Sequence, residues 1–203
     1  MRPLVVALAF VARAALAQEP AVDAGEWDFV ATLDGKAIGT HRFVVSAASA
    51  ARSVTSQAQF VVRVLGIPVY RYRHEAQERW QEDCLRELHA DTDDDGQRQQ
   101  VAQRFDDACV MGFAYWNPRL SRQRQLIDPQ TGRVGPARFE PLPDASIEVR
   151  GRPVAAHGWR LVADKQRITV WYAADSGRWI ALDAEARGGR RLSYRLPAGK
   201  DLP

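Results

Sequence analysis

Apolar and polar residues alternate with a period of two along most of the chain, a pattern that predicts β-strands with one buried face rather than helices. The first clear example spans residues 27–33, where Trp27, Phe29 and Leu33 share one face. Asp34-Gly35, a pair typical of hairpin turns, follows directly. We expect the return strand, about Lys36–Val45, to place His41 on the same face as Phe43 and Val45.

The clearest strand extends from Val69 to Trp80, after a predicted break at Gly66-Ile67-Pro68. Its outer face is charged and amide-bearing, as expected of a face in contact with water. The other face combines aromatic and ionisable residues with one small residue, namely Tyr70, Tyr72, His74, Ala76, Glu78 and Trp80. We expect this second face to point into the protein.

Further strands are predicted on both sides of a central irregular region. A strand from Cys84 to about Ala90 and a partner strand reaching Phe105 flank a turn at residues 93–96, and the last third holds strands at about 153–162, 166–173, 178–186 and 190–196. Asn117 and Pro118 predict a short helix by their capping preferences. Residues 136–143, which contain prolines, are expected to cross one end of the fold.

Many short strands at hairpin spacing predict an all-β fold. We expect one antiparallel sheet, strongly curved or closed into a barrel-like shape, with at most one or two short helices. No repeat or linker divides the chain, so residues 18–203 are predicted to form one β-rich domain.

Residues 1–17 have the organisation of an export signal. Arg2 supplies a positive charge, residues 4–12 form an apolar run, and Ala15-Leu16-Ala17 fits a signal-peptidase site with cleavage after Ala17. The apolar run is shorter than the ~20 residues of a membrane span. A mitochondrial transit peptide is the alternative, although such peptides are richer in serine. We therefore expect a periplasmic or secreted protein without a membrane span.

Removal of this signal takes away most of the net charge. The intact chain has 28 Lys+Arg and 25 Asp+Glu, a net charge of +3. Arg2 and Arg13 leave with the signal, which gives the remaining chain a net charge of +1. Because a nucleic-acid-binding domain normally has a clear basic excess, we expect no nucleic-acid partner.

The two cysteines, Cys84 and Cys109, are predicted to form a disulfide. A hairpin that turns at Asp95-Gly96 pairs residues whose numbers sum to about 191, and the cysteine numbers sum to 193. The two residues would then face each other on neighbouring strands, within disulfide reach. A redox or nucleophilic thiol is the alternative, but no Cys-x-x-Cys motif is present.

Polar groups on an otherwise apolar inner face are the main indication of a site. Such groups would line a cavity in which Ala76 leaves room for a guest molecule. His74 and Glu78 would be about 13 Å apart along one strand, too far for a direct contact. The alternative is that each histidine is an ordinary interior or rim residue. The candidate ligand-binding residues are Tyr70, Tyr72, His74, Glu78, Trp80, His41, Tyr115 and Trp116.

Metal, cofactor and enzyme motifs are not found in the sequence. Residues 91–96 match the start of a calcium loop, but Ala102 occupies the position of its bidentate glutamate, which favours an acidic hairpin turn. No histidine pair has zinc-ligand spacing, no glycine-rich phosphate loop occurs, and no Gly-x-Ser-x-Gly elbow is present. We therefore predict no metal and no cofactor.

Several short segments resemble a known family, the domain of unknown function 6134 of exported bacterial proteins. They are Leu33-Asp34-Gly35 with Ile38-Gly39 and His41, the strand from Tyr70 to Trp80, Tyr115-Trp116-Asn117-Pro118, Thr131-Gly132 and Val170-Trp171-Tyr172. The resemblance implies a periplasmic, β-rich protein without an established activity. The C-terminal strands are also similar to family 3108, which implies a curved sheet like those of lipocalins and lipoprotein carriers.

Three functions are compatible with these observations. The first is a protein that binds or carries an apolar or amphipathic small molecule inside a curved sheet. The second is an envelope enzyme that uses His74 or His41 with Glu78 as acid and base, which requires two of these side chains within hydrogen-bond reach. The third is a structural or assembly factor, which an exposed aromatic cluster at Tyr115-Trp116 would favour.

Overall fold

Twelve antiparallel β-strands form one curved sheet in the computed structural model, which describes residues 24–46, 51–164 and 166–198. The predicted signal at residues 1–17 lies outside the described residues. The strands are β1 (Gly25–Leu33), β2 (Lys36–Val45), β3 (Ala51–Val64), β4 (Ile67–Gln81), β5 (Cys84–Asp94), β6 (Gln97–Arg104), β7 (Gln125–Ile127), β8 (Val134–Val149), β9 (Arg152–Ala163), β10 (Gln166–Ala173), β11 (Trp179–Ala186) and β12 (Arg190–Arg195).

The sheet consists of two meanders joined by one long-range pairing. Its order is β6-β5-β4-β3-β2-β1-β12-β11-β10-β9-β8-β7, so neighbouring strands follow one another in the chain except at the pairing of β1 with β12. At that seam Val30 lies opposite Arg195 and Leu33 lies opposite Leu192. The prediction of an all-β antiparallel fold is confirmed.

The two edge strands, β6 and β7, do not form a ladder with each other within the described residues. The segment between them closes the gap at one end: the Leu85 amide donates to the Val110 carbonyl at 2.8 Å, and the Ile127 amide donates to the Met111 carbonyl at 3.0 Å. Elsewhere the turn after β7 packs on β6, since a Cβ at Gly132 would lie 2.6 Å from Gln103 Nε2. The sheet is thus open in its hydrogen bonding but joined across its edges.

The prediction of a disulfide between Cys84 and Cys109 is confirmed. The hairpin of β5 and β6 pairs Asp94 with Gln97 and Glu87 with Arg104, which is the register deduced from the turn. The disulfide ties the segment that follows β6 to the start of β5. It therefore anchors the connection that bridges the two sheet edges.

Some predicted boundaries were wrong. Residues 136–143 do not cross an end of the fold but belong to β8, which accommodates its prolines with an irregularity between Leu142 and Ala145. Ile67 and Pro68 are part of β4, because the turn is formed by residues 65–66. The predicted helix is a single short 3-10 helix, Pro118–Arg122, in which Asn117 Oδ1 accepts a hydrogen bond from the Arg119 amide. A three-residue 3-10 turn precedes β12. Among the described residues, no helix is long and apolar enough to cross a membrane.

Candidate functional site

A cavity of about 620 Å³ lies on the concave side of the sheet. Its walls come from β2–β4 on one side and β10–β12 on the other, and two connecting segments, 113–116 and 128–130, also reach it. Most of the lining side chains are apolar or aromatic, as in typical small-molecule sites. Seven of the eight candidate residues line it: His41, Tyr70, Tyr72, His74, Glu78, Tyr115 and Trp116.

Small side chains on neighbouring strands create the space. Ser56 on β3 lies opposite Ala76 on β4, and Ala76 lies opposite Ala90 on β5. Because residues opposite each other share a face, these three form a row of small residues across the sheet. The prediction that Ala76 leaves room on the inner face agrees with its position in the cavity wall.

His41 is held as a neutral imidazole inside this cavity. Its Nε2 is 2.7 Å from Ser56 Oγ and its Nδ1 is 3.2 Å from Tyr194 Oη. Its ring also stacks on Phe43 with centroids 4.1 Å apart. Burial, with a smaller contribution from nearby His74, lowers the pKa of His41 to about 3. The side chain is therefore fixed at both ring nitrogens and uncharged at neutral pH.

His74 lies in the same cross-strand row as His41, with Ala58 of β3 between them. The two backbones are therefore about 10 Å apart. His74 Nδ1 is 2.8 Å from the hydroxyl of Thr92, another buried polar residue. Burial also lowers the pKa of His74, so this imidazole is likewise neutral.

Glu78 is the acidic group of the cavity wall near the small-residue row. Trp80 Nε1 donates a hydrogen bond of 2.8 Å to Glu78 Oε2. Oε1 is directed toward the segment after β6, since a Cβ at Gly112 would lie 3.9 Å from it. Burial raises the pKa of Glu78 to about 7, and the Trp80 hydrogen bond opposes this only in part. The carboxyl group thus changes its charge near neutral pH.

Trp80 was predicted to contact a ligand, but it does not line the cavity. Its side chain is 1% exposed and packs edge-on against Trp116 with centroids 5.2 Å apart. It acts from behind the wall, by holding Glu78. Strand alternation places Trp80 on the inner face, but it does not show that another aromatic ring covers it.

The Tyr115-Trp116-Asn117-Pro118 motif forms a plug between the sheet edges. Tyr115 and Trp116 reach the cavity, and Tyr115 packs on Trp179 with centroids 5.3 Å apart. Asn117 is fully buried, and its Nδ2 donates to Asp83 Oδ1 at 2.9 Å. The exposed aromatic cluster that would favour an assembly factor is thus not found at this position, because Trp116 is 4% exposed.

The opposite end of the cavity is a charged mouth. Tyr70 Oη donates a hydrogen bond of 2.6 Å to Asp94, whose other oxygen is 3.4 Å from Arg187. Arg190, another lining residue, is 2.7 Å from Asp34. Exposed Arg167 also lines this end. The cationic side chains of the cavity wall are therefore those at its mouth.

Within the described residues, the pairing of His41 or His74 with Glu78 that the enzyme hypothesis requires is not formed. The hydrogen bonds of His41, His74 and Glu78 go to other residues, and none joins two of these three. His157 is exposed, does not line the cavity and lies 2.6 Å from Asp144. No group of three or more potential metal-ligating side chains occurs in the part of the chain that the structure describes.

Tyr194, Gln130 and Phe113 are among the cavity residues that were not predicted from the sequence. Tyr194 contacts His41 and alternates inward on β12. Gln130 Nε2 donates a hydrogen bond of 2.8 Å to Tyr72 Oη from the turn after β7. Phe113 enters from the plug. The alternation in β12 could have identified Tyr194, whereas Gln130 and Phe113 lie outside strands and carry no periodic signal.

A second, shallower groove of about 570 Å³ is lined by charged residues. Its opposite charges largely pair with one another: Arg191 Nη2 is 3.3 Å from Asp183, and Arg138 is 3.1 Å from Glu140. Paired exposed charges indicate a solvated surface. The inner cavity is the stronger candidate site.

Comparisons with known proteins place the chain in a family and support its fold. The family model described as Domain of unknown function (DUF6134) matches residues 29–197. The structure is similar to the crystal structure of a beta-barrel-like protein of domain of unknown function DUF1849 from Brucella abortus. The TM-score is 0.52 with 8% identity, over 86% of this chain and 96% of that chain. No curated protein matches the chain.

Proposed function

The chain belongs to the DUF6134 family, and we propose that it binds an apolar or amphipathic small molecule in its cavity. The observation that carries this proposal is the cavity of about 620 Å³, walled by apolar side chains with a few fixed polar groups. This volume lies within the ~300–1,000 Å³ typical of small-molecule sites.

The charges of the wall favour a particular orientation of the guest. The inner part presents neutral imidazoles, tyrosine hydroxyls and the carboxyl groups of Glu78 and Asp128, and burial raises the pKa of Tyr115 and Tyr194. An anionic group placed there would lack a cationic partner, at a high desolvation cost. Arg167 stands at the mouth together with Arg187 and Arg190, whose guanidinium groups also contact Asp94 and Asp34. We infer that the apolar body enters first and that an anionic head group, if present, stays at the mouth.

Export of the protein is part of the proposal. A disulfide between Cys84 and Cys109 is typical of an oxidising compartment such as the periplasm. The signal pattern of residues 1–17 points the same way. The ligand would then be a molecule of the cell envelope or the exterior.

Titration with N-phenyl-1-naphthylamine, an uncharged apolar fluorophore, tests binding. We expect a saturable rise in fluorescence with one site per chain. Ala76→Phe fills the space beside Glu78, and Ala184→Phe fills the opposite wall. Each should weaken binding at least about tenfold, which corresponds to about 1.4 kcal/mol. Mass spectrometry of the protein purified under native conditions should identify a bound molecule that competes with the fluorophore.

Gln77→Phe is the matched control, because Gln77 is the exposed neighbour of Ala76 on the outer face of β4. It should leave the affinity unchanged. Urea unfolding of each variant verifies that it is folded. A wild-type protein without saturable binding, or two folded cavity variants with wild-type affinity, would contradict the proposal.

A further inference from the structure

The turn between β3 and β4 carries the most exposed apolar side chains of the described residues. We call residues Val61–Arg71 the apolar hairpin. Leu65 is 98% exposed at its tip. The other strongly exposed apolar residues of the hairpin are Val64, Ile67 and Val69. Contiguous exposed apolar surface is unfavourable in water and commonly marks an interaction site.

The apolar hairpin projects from the sheet as a two-stranded ribbon. The last pair between β3 and β2 is Phe60 with Gly39, and the last pair between β4 and β5 is Tyr72 with Asp94. Residues 61–70 therefore have ladder partners only within the hairpin, whereas the Arg71 carbonyl still accepts a hydrogen bond of 2.8 Å from the Asp95 amide. Four residues of β3 beyond Phe60 extend about 14 Å.

Leu65 is an unusual residue for its backbone conformation. Six hairpin turns in the described ranges have a non-glycine residue with positive φ, and in five of them this residue is charged: Asp34, Glu82, Asp95, Arg150 and Asp164. The sixth is Leu65, with φ of 51°. Positive φ favours asparagine, aspartate or glycine over leucine. Leu65 thus occupies a position that is unfavourable for leucine both in its exposure to water and in its backbone conformation.

The distribution of apolar side chains fits a lipid surface better than a protein groove. Val64 and Ile67 lie opposite each other and share one face of the ribbon, Leu65 extends from its tip, and the half-buried Val61 lies on the other face. A protein groove would cover one face, whereas acyl chains and head groups surround an inserted element on all sides.

The charges of the apolar hairpin fit an anionic surface. It contains Arg63 and Arg71 and no acidic residue, and neither arginine forms an ion pair within the described part of the chain. Of the acids at its base, Asp94 is engaged by Tyr70 and Arg187. The Asp95 carboxylate accepts a hydrogen bond from the Arg71 amide. Arginines beside an inserted apolar tip can extend their guanidinium groups to lipid phosphates.

We propose that the apolar hairpin docks the protein on an anionic phospholipid bilayer by inserting Leu65 and Ile67 below the head groups. Val62, Val69 and Tyr70, at the base of the hairpin, also line the cavity. Docking therefore places the cavity mouth at the bilayer surface. The proposal does not require the cavity to bind a ligand, so its failure and that of small-molecule binding are separately measurable.

Flotation with vesicles of phosphatidylglycerol and phosphatidylethanolamine tests the proposal, with phosphatidylcholine vesicles for comparison. Leu65→Asn suits positive φ and Ile67→Thr suits a strand, so the double variant keeps the hairpin fold. We expect the wild type to float with the anionic vesicles and the double variant to lose at least about tenfold in partition coefficient. Arg63→Gln with Arg71→Gln should lose affinity for the anionic vesicles specifically.

Val134→Thr is the matched control, because Val134 is 46% exposed on β8, outside the hairpin. It should bind vesicles as the wild type does. Leu65→Trp should show a blue-shifted fluorescence with the anionic vesicles. Absence of vesicle binding by the wild type, or equal binding by the Leu65→Asn/Ile67→Thr variant, would overturn the proposal. A third result would also overturn it: the wild type self-associates in ultracentrifugation, the double variant does not, and neither binds vesicles. The hairpin would then join two copies of the chain.

Discussion

Glu78→Gln should stabilise the protein at neutral pH, by an amount that grows as the pH rises. The substitution keeps the shape of the side chain and an acceptor for the Trp80 indole, which donates to Glu78 Oε2 at 2.8 Å. It removes a carboxylate that is costly to ionise in its buried position. The effect is therefore expected in the free energy of unfolding and in its pH dependence.

The magnitude follows from the pKa of Glu78, which burial raises from 4.5 to about 7 in the folded protein. Between these values the folded state holds a proton that the unfolded state has lost, so stability falls as the pH rises through this window. A pKa difference is worth about 1.4 kcal/mol per unit, which gives about 3 kcal/mol as an upper bound. Because the cavity opens to water, we expect about 2 kcal/mol.

Urea unfolding at pH 4.5, 6, 7 and 8, with the disulfide intact, measures the effect. The pKa of His41 is lowered to about 3 in the folded protein. Below pH 6.5 the unfolded state therefore binds a proton that the folded state does not, and His41 makes the stability rise with pH, opposite to the effect of Glu78. This contribution is common to both proteins and cancels in the difference between variant and wild type. That difference should rise by about 2 kcal/mol from pH 4.5 to pH 7 and then level off.

Glu75→Gln is the matched control, since Glu75 is exposed on the outer face of the same strand, 2.6 Å from Arg73. Its difference from the wild type should vary by less than about 1 kcal/mol over the same range. A flat difference for Glu78→Gln, or a slope equal to that of the control, would refute the argument that the cavity favours the protonated carboxyl group.

Four further changes should each lower the free energy of unfolding measured in urea. Serine in place of both disulfide cysteines should cost about 3 kcal/mol, because the bond closes a loop across a sequence separation of 25; the same midpoint with and without the bond would contradict this. Gly39→Ala should cost about 3 kcal/mol or more, since φ is +155° and a Cβ would overlap the Gln59 carbonyl oxygen. Gly35→Ala, at φ +80° with open space around it, should cost only about 1 kcal/mol, and equal losses at the two glycines would be the contrary result. Asn117→Ala should cost about 2 kcal/mol, since the buried amide binds both Asp83 and the Arg119 amide, and a wild-type midpoint would show that these bonds do not matter.

The sequence predicted those parts of the fold that depend on strict alternation. In β4 every second residue from Tyr70 to Trp80 lies on the inner face, and seven of the eight candidate residues line one cavity. The disulfide was predicted because a hairpin turn determines its own register, and Asp95-Gly96 marks that turn clearly. Both inferences use short-range rules, which a single sequence contains.

The remaining features depend on contacts between distant segments. The bridge from Val110 to Leu85 follows a segment without periodicity, so alternation could not place it. Alternation assigned Trp80 to the cavity wall. Its packing against Trp116, which covers its ring, arises only in the folded chain and could not be predicted. The prolines of residues 136–143 indicated a crossing segment, whereas these residues belong to β8. The irregularity near Leu142 that allows a strand there depends on pairing with β9, which the local sequence does not show.

The strand order has a consequence for folding. In the sheet, β1 lies beside β12. In a circular permutant that begins with β7–β12 and continues with β1–β6, every pair of neighbouring strands would be consecutive in the chain. The pairing of Val30 with Arg195, now 165 residues apart, would then lie within a local connection. Since folding rates rise as contacts become more local, such a circular permutant should fold faster while keeping the same sheet. The seam between β1 and β12 is thus the expected slow step in forming the natural fold.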